Sequence, residues 1–413
     1  MTTIEVFVDQ RGEHVMVGQA HITRQRGQIS TTFLYDPGYL ADGGMSIDPA
    51  LPLVAGAQHQ SGLVRAFADS APDRWGRNLI EKAERAHARD EGRAPRRLDD
   101  LDFLLGVSDD TRQGALRYRP SGREEFVGAA SRVPQLVSLP ELLHAADELT
   151  SAEDPSEAIK QLLDTGTTGL GGARPKASVR LEDGALAIAK FPHGSDQWNV
   201  MAWEAATLDL LEAAGIRTPR RRLTRVGDRS VLILRRFDRT DLGHRVGYIS
   251  AMTALGAADG DRRDYAEVAE AIRDLSRFPK RDHHELFGRV VVSVALGNTD
   301  DHLRNHGFLA DRGSWTLSPA FDVNPNPDLW RARATSIMGA DSMPDEAEAL
   351  LALAEDCGLT SDQARARMRT ILEAFATWKE RARSAGIRER EIAMMADSID
   401  ARLAAVTATA GNA

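Results

Sequence analysis

Only one cysteine, Cys357, occurs in the 413 residues, so no internal disulfide can form and no cysteine-rich zinc site can be assembled. That scarcity fits a reducing cytoplasm, and the side chain itself reads as a small buried apolar residue. Long hydrophobic runs are missing too. The longest uncharged window, residues 49–64, is interrupted by Pro52, Gly56, Gln58 and His59, which makes it too short and too polar to span a bilayer. Glu5, Asp9 and Arg11 stand where a secretory signal needs an apolar core, so the expectation is a cytoplasmic protein without a membrane anchor. Basic residues are not in excess: 52 Lys and Arg face 61 Asp and Glu, a formal net charge of -9. A chain of that charge has no general attraction for nucleic acid or anionic lipid, and any such contact must be local.

What is present is a globular composition, with 42% hydrophobic and 27% charged residues, long enough for two or three domains at roughly 150 residues each. The start reads as sheet: residues 4–8 and 15–17 form a hairpin, and a further β-prone run contains Thr31, Phe33 and Tyr35. Helices follow, one entered at Pro72 and carrying Trp75, Leu79 and Ile80, another over residues 98–105 before Gly106. Turn formers place a boundary between residues 120 and 140. Residues 177–190 then read as a β-hairpin turning at Asp183 and Gly184, and a further strand contains Val231, Leu232, Ile233 and Leu234. Between them Val200, Glu204, Thr207, Leu208 and Leu211 recur at helical spacing and stop at Gly215. Beyond residue 245 the chain turns largely helical, with one long helix expected from residue 361 through Phe375 and Trp378 to Gly386. The expected organisation is an N-terminal domain over 1–130, a β-rich lobe over 131–240 and a helical lobe over 241–413. Such a pair of lobes leaves a cleft, where ligands are commonly held.

Three segments can carry chemistry. Gly166, Gly169, Gly171 and Gly172 lead into Lys176 and the hairpin; closely spaced glycines let backbone amides approach an anion, although an interdomain linker has the same composition. The segment fits neither the Walker A loop nor G-x-G-x-x-G, because Pro175 precedes Lys176 and Arg174 occupies the last glycine position. Lys190 shares strand parity with Leu186 and Ile188, and Glu204 lies on the apolar stripe of the next helix. Two charges in apolar positions on nearby elements either pair, as a phosphate-binding lysine pairs with a helix glutamate in protein kinases, or reach out to solvent. The densest polar cluster follows the apolar helix containing Phe287, Val290, Val291 and Val294, where Asp300 and Asn305 have the Asp-x-x-x-x-Asn spacing of a phosphotransferase loop. In such a loop the carboxylate takes the attacking hydroxyl's proton and the amide oxygen binds magnesium, and Asp322 stands where a second magnesium ligand comes. The alternatives are a solvated loop with a capping Asp, or a His302 and His306 metal pair, for which H-E-x-x-H is absent. The arginines at 220–229 and 93–97 and the pair His283 and His284 read as surface.

Taken in order, these segments resemble the HipA family of bacterial serine/threonine kinases, the toxin halves of HipBA toxin–antitoxin modules. In the first domain the resemblance rests on Phe67, Pro72, Asp73, Trp75 and Gly76, and on Leu104, Gly106, Asp109, Asp110 and Gly114. Further on it rests on Gly171, Gly172 and Lys176, on Lys190 with Phe191 and Pro192, on Arg236, Phe237, Asp238 and Arg239, and on the 300–305 loop with Pro319 and Asp322. It implies an α+β, two-lobed protein-kinase-like fold of the phosphoinositide 3/4-kinase branch, with a β-rich N-terminal domain and a helical C-terminal lobe. It also implies ATP bound with Mg2+. Lys190 would contact the phosphates beside Gly171 and Gly172, the backbone from Arg235 to Phe237 would line the adenine pocket, Asp300 would be the catalytic base, and Asn305 and Asp322 would hold magnesium. Glu204 is assigned to Lys190 by its position on the helical stripe. The implied partners are a HipB-like helix-turn-helix antitoxin, through which DNA is met indirectly, and a protein substrate such as an aminoacyl-tRNA synthetase. Two readings from other classes are a catalytically silent kinase-fold binding module and a small-molecule phosphotransferase.

Two departures bear on regulation and affinity. Arg235 replaces the acidic residue that many relatives carry before the Arg-Phe-Asp-Arg run, and Gly169 replaces the serine whose self-phosphorylation silences relatives. Self-inactivation is therefore expected to be lost or moved to Thr167 or Thr168. Phosphopeptide mapping after incubation with ATP and Mg2+ checks this, and phosphate found only elsewhere contradicts it.

Overall fold

The computed structural model describes residues 1–25, 28–128, 133–151, 156–164 and 174–411. The chain divides into two compact units, residues 1–195 with 224–249 and residues 196–223 with 250–413.

In the first unit, β1 (Thr2–Gln10), β2 (Glu13–Gln25), β3 (Gln28–Tyr35), β4 (Gln58–Ser61) and β5 (Leu116–Pro120) form an antiparallel sheet ordered β4-β3-β2-β1-β5. Alternation buries Ile4, Val6, Ala20, Ile22 and Phe33. Aromatic rings extend that face, with Phe67 packed edge-on against Phe33 at 6.1 Å and Tyr118 at 5.2 Å. The expected helices are present as Arg74–Asp90, with Asp73 at its N-cap position, and Asp100–Leu105, whose N-cap Asp99 forms a capping box with Asp102.

A second sheet comprises β6 (Lys176–Arg180), β7 (Leu186–Lys190), β8 (Arg221–Val226) and β9 (Arg229–Arg235), in the order β6-β7-β9-β8. One face of β6, β7 and β9, bearing Ala177, Val179, Ala187, Ala189 and Ile233, packs on the helices Leu139–Ser151 and Ser156–Asp164 and on Trp75 and Leu79. Trp75 also donates its ring N–H to the Lys176 carbonyl at 3.1 Å.

Charges are buried in quantity in this unit. The Arg112 guanidinium is enclosed and donates to the carbonyls of Ser70, Leu104 and Val107 at 3.0–3.1 Å. Asp238 accepts from the backbone N–H of Gly114 at 2.8 Å, from Arg236 Nε at 2.8 Å and from Arg239 at 3.0 Å. Burial alone would push its carboxyl up, but the two guanidinium groups and the Gly114 amide outweigh that and hold it well below the usual carboxylate range.

The second unit contains the helices Val200–Ala213, Tyr265–Leu275, Pro279–Leu296, Ser361–Phe375, Trp378–Ser384 and Glu389–Ala410 and a hairpin of Gly307–Asp311 with Ser314–Leu317. The single long helix expected over 361–386 is in fact two. The chain breaks at Ala376 and Thr377, which brings the Trp378 ring to 6.2 Å from Trp203 and its N–H to 3.1 Å from Asp400; tertiary packing outweighs local periodicity there. Cys357 is buried as expected, and burial pushes its thiol up to about 12. His283 and His284, read as surface, are half-buried, and His283 Nε2 contacts the Ala269 carbonyl at 2.7 Å. Among the described residues no helix is long and apolar enough to cross a membrane.

Asp238 yields a pH prediction. Its folded pKa lies below the unfolded value of about 3.9, so its stabilisation is complete above that pH and is lost progressively as the pH falls from there through the folded pKa. Urea unfolding of Asp238→Ala should show a loss of about 3–5 kcal/mol at pH 7, because two guanidinium groups lose their counter-charge, and a shallower decline than wild type below about pH 4. Parallel acid limbs would contradict this.

Candidate functional site

In the first unit the hairpin register sets Lys176 opposite Lys190, and Lys190 in turn pairs with Leu232. Cross-strand partners share a face, so both lysines lie with Ser178, Ile188 and Leu234, on the face opposite the one that fills the core. The expected parity of Lys190 with Leu186 and Ile188 holds, but the core belongs to the smaller residues Ala187 and Ala189. Both lysines are nonetheless buried, at 4% and 8% exposure. The two lysines are thus neighbours on one buried face of the sheet. Sequence reasoning named Lys176 only as the end of the glycine-rich segment and did not set it opposite Lys190. The signal was available, because residues equidistant from Asp183 pair, and 176 and 190 are each seven away.

Arg235 is engaged by Asp183 at 2.6 Å and Asp241 at 2.9 Å, and the half-buried Phe237 ring lies 6.5 Å from Tyr248. The residues after β9 are fixed by Asp238 and by Arg239, which donates to the carbonyls of Asp110 and Arg112. Gly171 and Gly172, with Thr167, Thr168 and Gly169, lie outside the described residues.

In the second unit Glu204 is buried at 1% exposure on the helix Val200–Ala213, but so is every residue from Val200 to Leu208, so the helix is enclosed on all faces and the expected stripe does not single Glu204 out. The helix Pro279–Leu296 ends at Gly297, where φ is 65° and a Cβ would stand 2.9 Å from Arg402 Nε. Glycine is required there by both conformation and space. The chain then runs through buried Asn298 and Thr299 to exposed Asp300 and buried Asp301. A short turn, Leu303–Asn305, folds Asn305 back so that its Nδ2 donates to the Asp300 carbonyl at 3.2 Å. That bond joins the two residues that the spacing singles out and turns the amide oxygen the other way. Asp322 has a left-handed backbone, φ 58°, a conformation that Asp and Asn tolerate better than other side chains. Its segment is tied to the loop through Asn324 N–H and Asn298 Oδ1 at 3.4 Å. Two further bonds hold the loop from the 333–336 segment: Ala334 N–H to the Thr299 carbonyl at 2.8 Å, and Thr335 Oγ1 to the Asp301 carbonyl at 2.7 Å.

Around this loop Asn298 Nδ2, Thr299 Oγ1, His302 Nδ1 and Asn324 Oδ1 are buried without a hydrogen-bond partner. Unsatisfied buried polar atoms gathered in one place mark a site built to receive a polar ligand or ordered water. Among the described residues no group of three or more His, Cys, Asp and Glu could hold a metal by itself. An amide oxygen and a carboxylate, the groups that Asn305 and Asp322 carry, are the kind of hard donor that Mg2+ takes together with water and phosphate oxygens. His302 and His306 do not form a pair on one helix face. A 3-10 turn separates them, and His306 Nε2 lies 3.0 Å from Asp301 Oδ1.

Asp301 is the residue sequence reasoning passed over. Its carboxylate accepts from the Tyr265 hydroxyl and lies 3.0 Å from His306 Nε2. Burial would raise its pKa, but His306, Tyr265 and Arg333 outweigh that and keep it charged well below the usual range.

This arrangement, with an N-terminal antiparallel sheet, a lysine-bearing second sheet and a helical unit carrying the Asp300 loop, is that of a HipA-type chain. The chain belongs to the HipA family: the HipA N-terminal domain model matches residues 12–119 and the HipA-like C-terminal domain model matches residues 168–399. Its fold is similar to that of a chain in the Shewanella oneidensis MR-1 toxin–antitoxin complex of HipA, HipB and operator DNA, with a TM-score of 0.68 at 14% identity, covering 98% of this chain and 96% of that one. The Helicobacter pylori proinflammatory kinase CtkA aligns with a TM-score of 0.43 at 17% identity, over 58% of this chain and 93% of that one. A putative kinase of Haemophilus influenzae is 29% identical over 82 residues; the match takes in 19% of this chain and spans only 24% of that protein's length.

Proposed function

We propose that this protein is an ATP- and Mg2+-dependent serine/threonine protein kinase, the toxin of a HipBA-type toxin–antitoxin system. The observation that carries the reading is the Asp300 loop, in which the Asn305 amide is bonded to the Asp300 backbone while the Asp300 side chain stays exposed. Asp300 would accept the proton of the attacking hydroxyl, and Asn305 Oδ1 and the Asp322 carboxylate would hold the metal. Mg2+ supplies neutralisation of the charge that develops on the transferred phosphoryl group. Lys190, with Glu204 as its counter-charge and the buried Lys176 beside it, would contact the phosphates. Amides at Gly171 and Gly172 would cover the phosphates, and the Arg235 to Phe237 backbone would receive the adenine. Positioning and charge neutralisation would then supply most of the rate. The segment 131–240 would act as the N-lobe and 241–413 as the C-lobe. A HipB-like antitoxin would bind the kinase and bring it to DNA, and the substrate would be a translation component such as an aminoacyl-tRNA synthetase, phosphorylated in the cytoplasm.

Phosphate transfer from γ-labelled ATP to proteins of a bacterial extract should require Mg2+. Asp300→Asn should slow it by on the order of a hundredfold to ten-thousandfold while leaving ATP binding in place. Equal transfer and equal growth inhibition by the two proteins would favour a silent binding module. Transfer to small alcohols in place of proteins would favour a small-molecule phosphotransferase.

A further inference from the structure

The loop residue next to the proposed base is gripped from the interior. The Asp301 carboxylate accepts from the Tyr265 hydroxyl and lies 3.0 Å from His306 Nε2, and the Arg333 guanidinium lies 6.0 Å from the Tyr265 ring centre. Arg333 Nε donates to Glu346 Oε2 at 2.6 Å, and the other Glu346 oxygen accepts from Arg402. Ion pairs thus join Arg402, Glu346 and Arg333, each with a side chain no more than 1% exposed, and the segment carrying Arg333 reaches Asp301 through Thr335, whose hydroxyl donates to the Asp301 carbonyl at 2.7 Å. The far end rests on the C-terminal helix Glu389–Ala410.

Arg402 does more than close an ion pair. It donates to the Leu329 carbonyl at 2.8 Å, and its Nε and Cδ occupy the space that a side chain at Gly297 would need, at the start of the loop. The loop is therefore held at Gly297 by contact and at Asp301 by the Tyr265 and Thr335 hydroxyls, with the exposed Asp300 between. Replacing a buried ionic chain by apolar residues of like volume is often neutral for stability, so its retention needs another reason.

We propose that Asp301 is a positioning residue that sets the direction of Asp300, and that the Arg402–Glu346–Arg333 chain fixes Asp301 from the C-terminal helix. The inference rests on Asp300 being the catalytic base. Lone-pair direction at a general base matters because small misplacements cost large factors in rate.

Tyr265→Phe and Arg402→Met each remove one tie while leaving Asp301 and Glu346 another partner, and Arg402→Lys serves as the conservative control. Each variant is first required to unfold cooperatively at a midpoint near that of wild type. In Mg2+-dependent transfer assays Tyr265→Phe and Arg402→Met should lower kcat on the order of tenfold to a hundredfold with KM for ATP within about twofold, and Arg402→Lys should recover part of the loss. Amides at 298–306 should exchange hydrogen faster in both variants than in wild type. Wild-type kcat together with wild-type exchange would overturn the inference, as would a loss carried by KM. If wild type itself transfers no phosphate, the kinase reading fails, and the exchange rates alone decide whether this chain holds the loop; unchanged exchange rejects it.

Discussion

Two carboxylates adjacent in sequence face opposite ways, and the polar site of the second unit depends on that opposition. Asp300 is exposed; Asp301 is buried against Tyr265 and His306. A buried carboxylate kept charged by its neighbours is costly to displace, so Asp301 acts as an anchor, and the residue before it is presented outward without flexible support. The Asn305 bond to the Asp300 backbone and the contacts from Ala334 and Thr335 extend the same anchoring along the loop.

A comparable economy governs the first unit. The segment that follows β9 is fixed by Arg236, Asp238 and Arg239, whose partners are backbone groups of Asp110, Thr111, Arg112 and Gly114. Those partners lie within the stretch matched by the HipA N-terminal domain, so that domain is a structural support for residues 236–239 and not an appendage. The resemblance quoted the Arg-Phe-Asp-Arg run as a motif; the physical reason for its charges is this set of buried bonds.

Local rules made much of this legible. Asp183 and Gly184 marked the hairpin, Gly215 ended a helix, and the five-residue spacing of Asp300 and Asn305 corresponds to a real contact. Three features were hidden because they depend on partners distant in sequence. The core face of β7 belongs to alanines, since bulky side chains on the helices Leu139–Ser151 and Ser156–Asp164 fill the space above them. The break at Ala376 follows from Trp378 packing on Trp203. Asp301 looked like a second copy of its neighbour, and the placement of Tyr265, thirty-six residues earlier, together with His306 separates their roles.

The account stands or falls on whether this chain binds a nucleotide triphosphate through the lysine row and the Asp300 loop together. Calorimetric titration with ATP, with and without Mg2+, on wild type, Lys190→Ala and Asp322→Ala is the direct measurement. One saturable site that needs Mg2+ and is weakened on the order of tenfold or more by either substitution is the expected result. No heat with wild type, or affinity indifferent to Mg2+ and to both side chains, would contradict it.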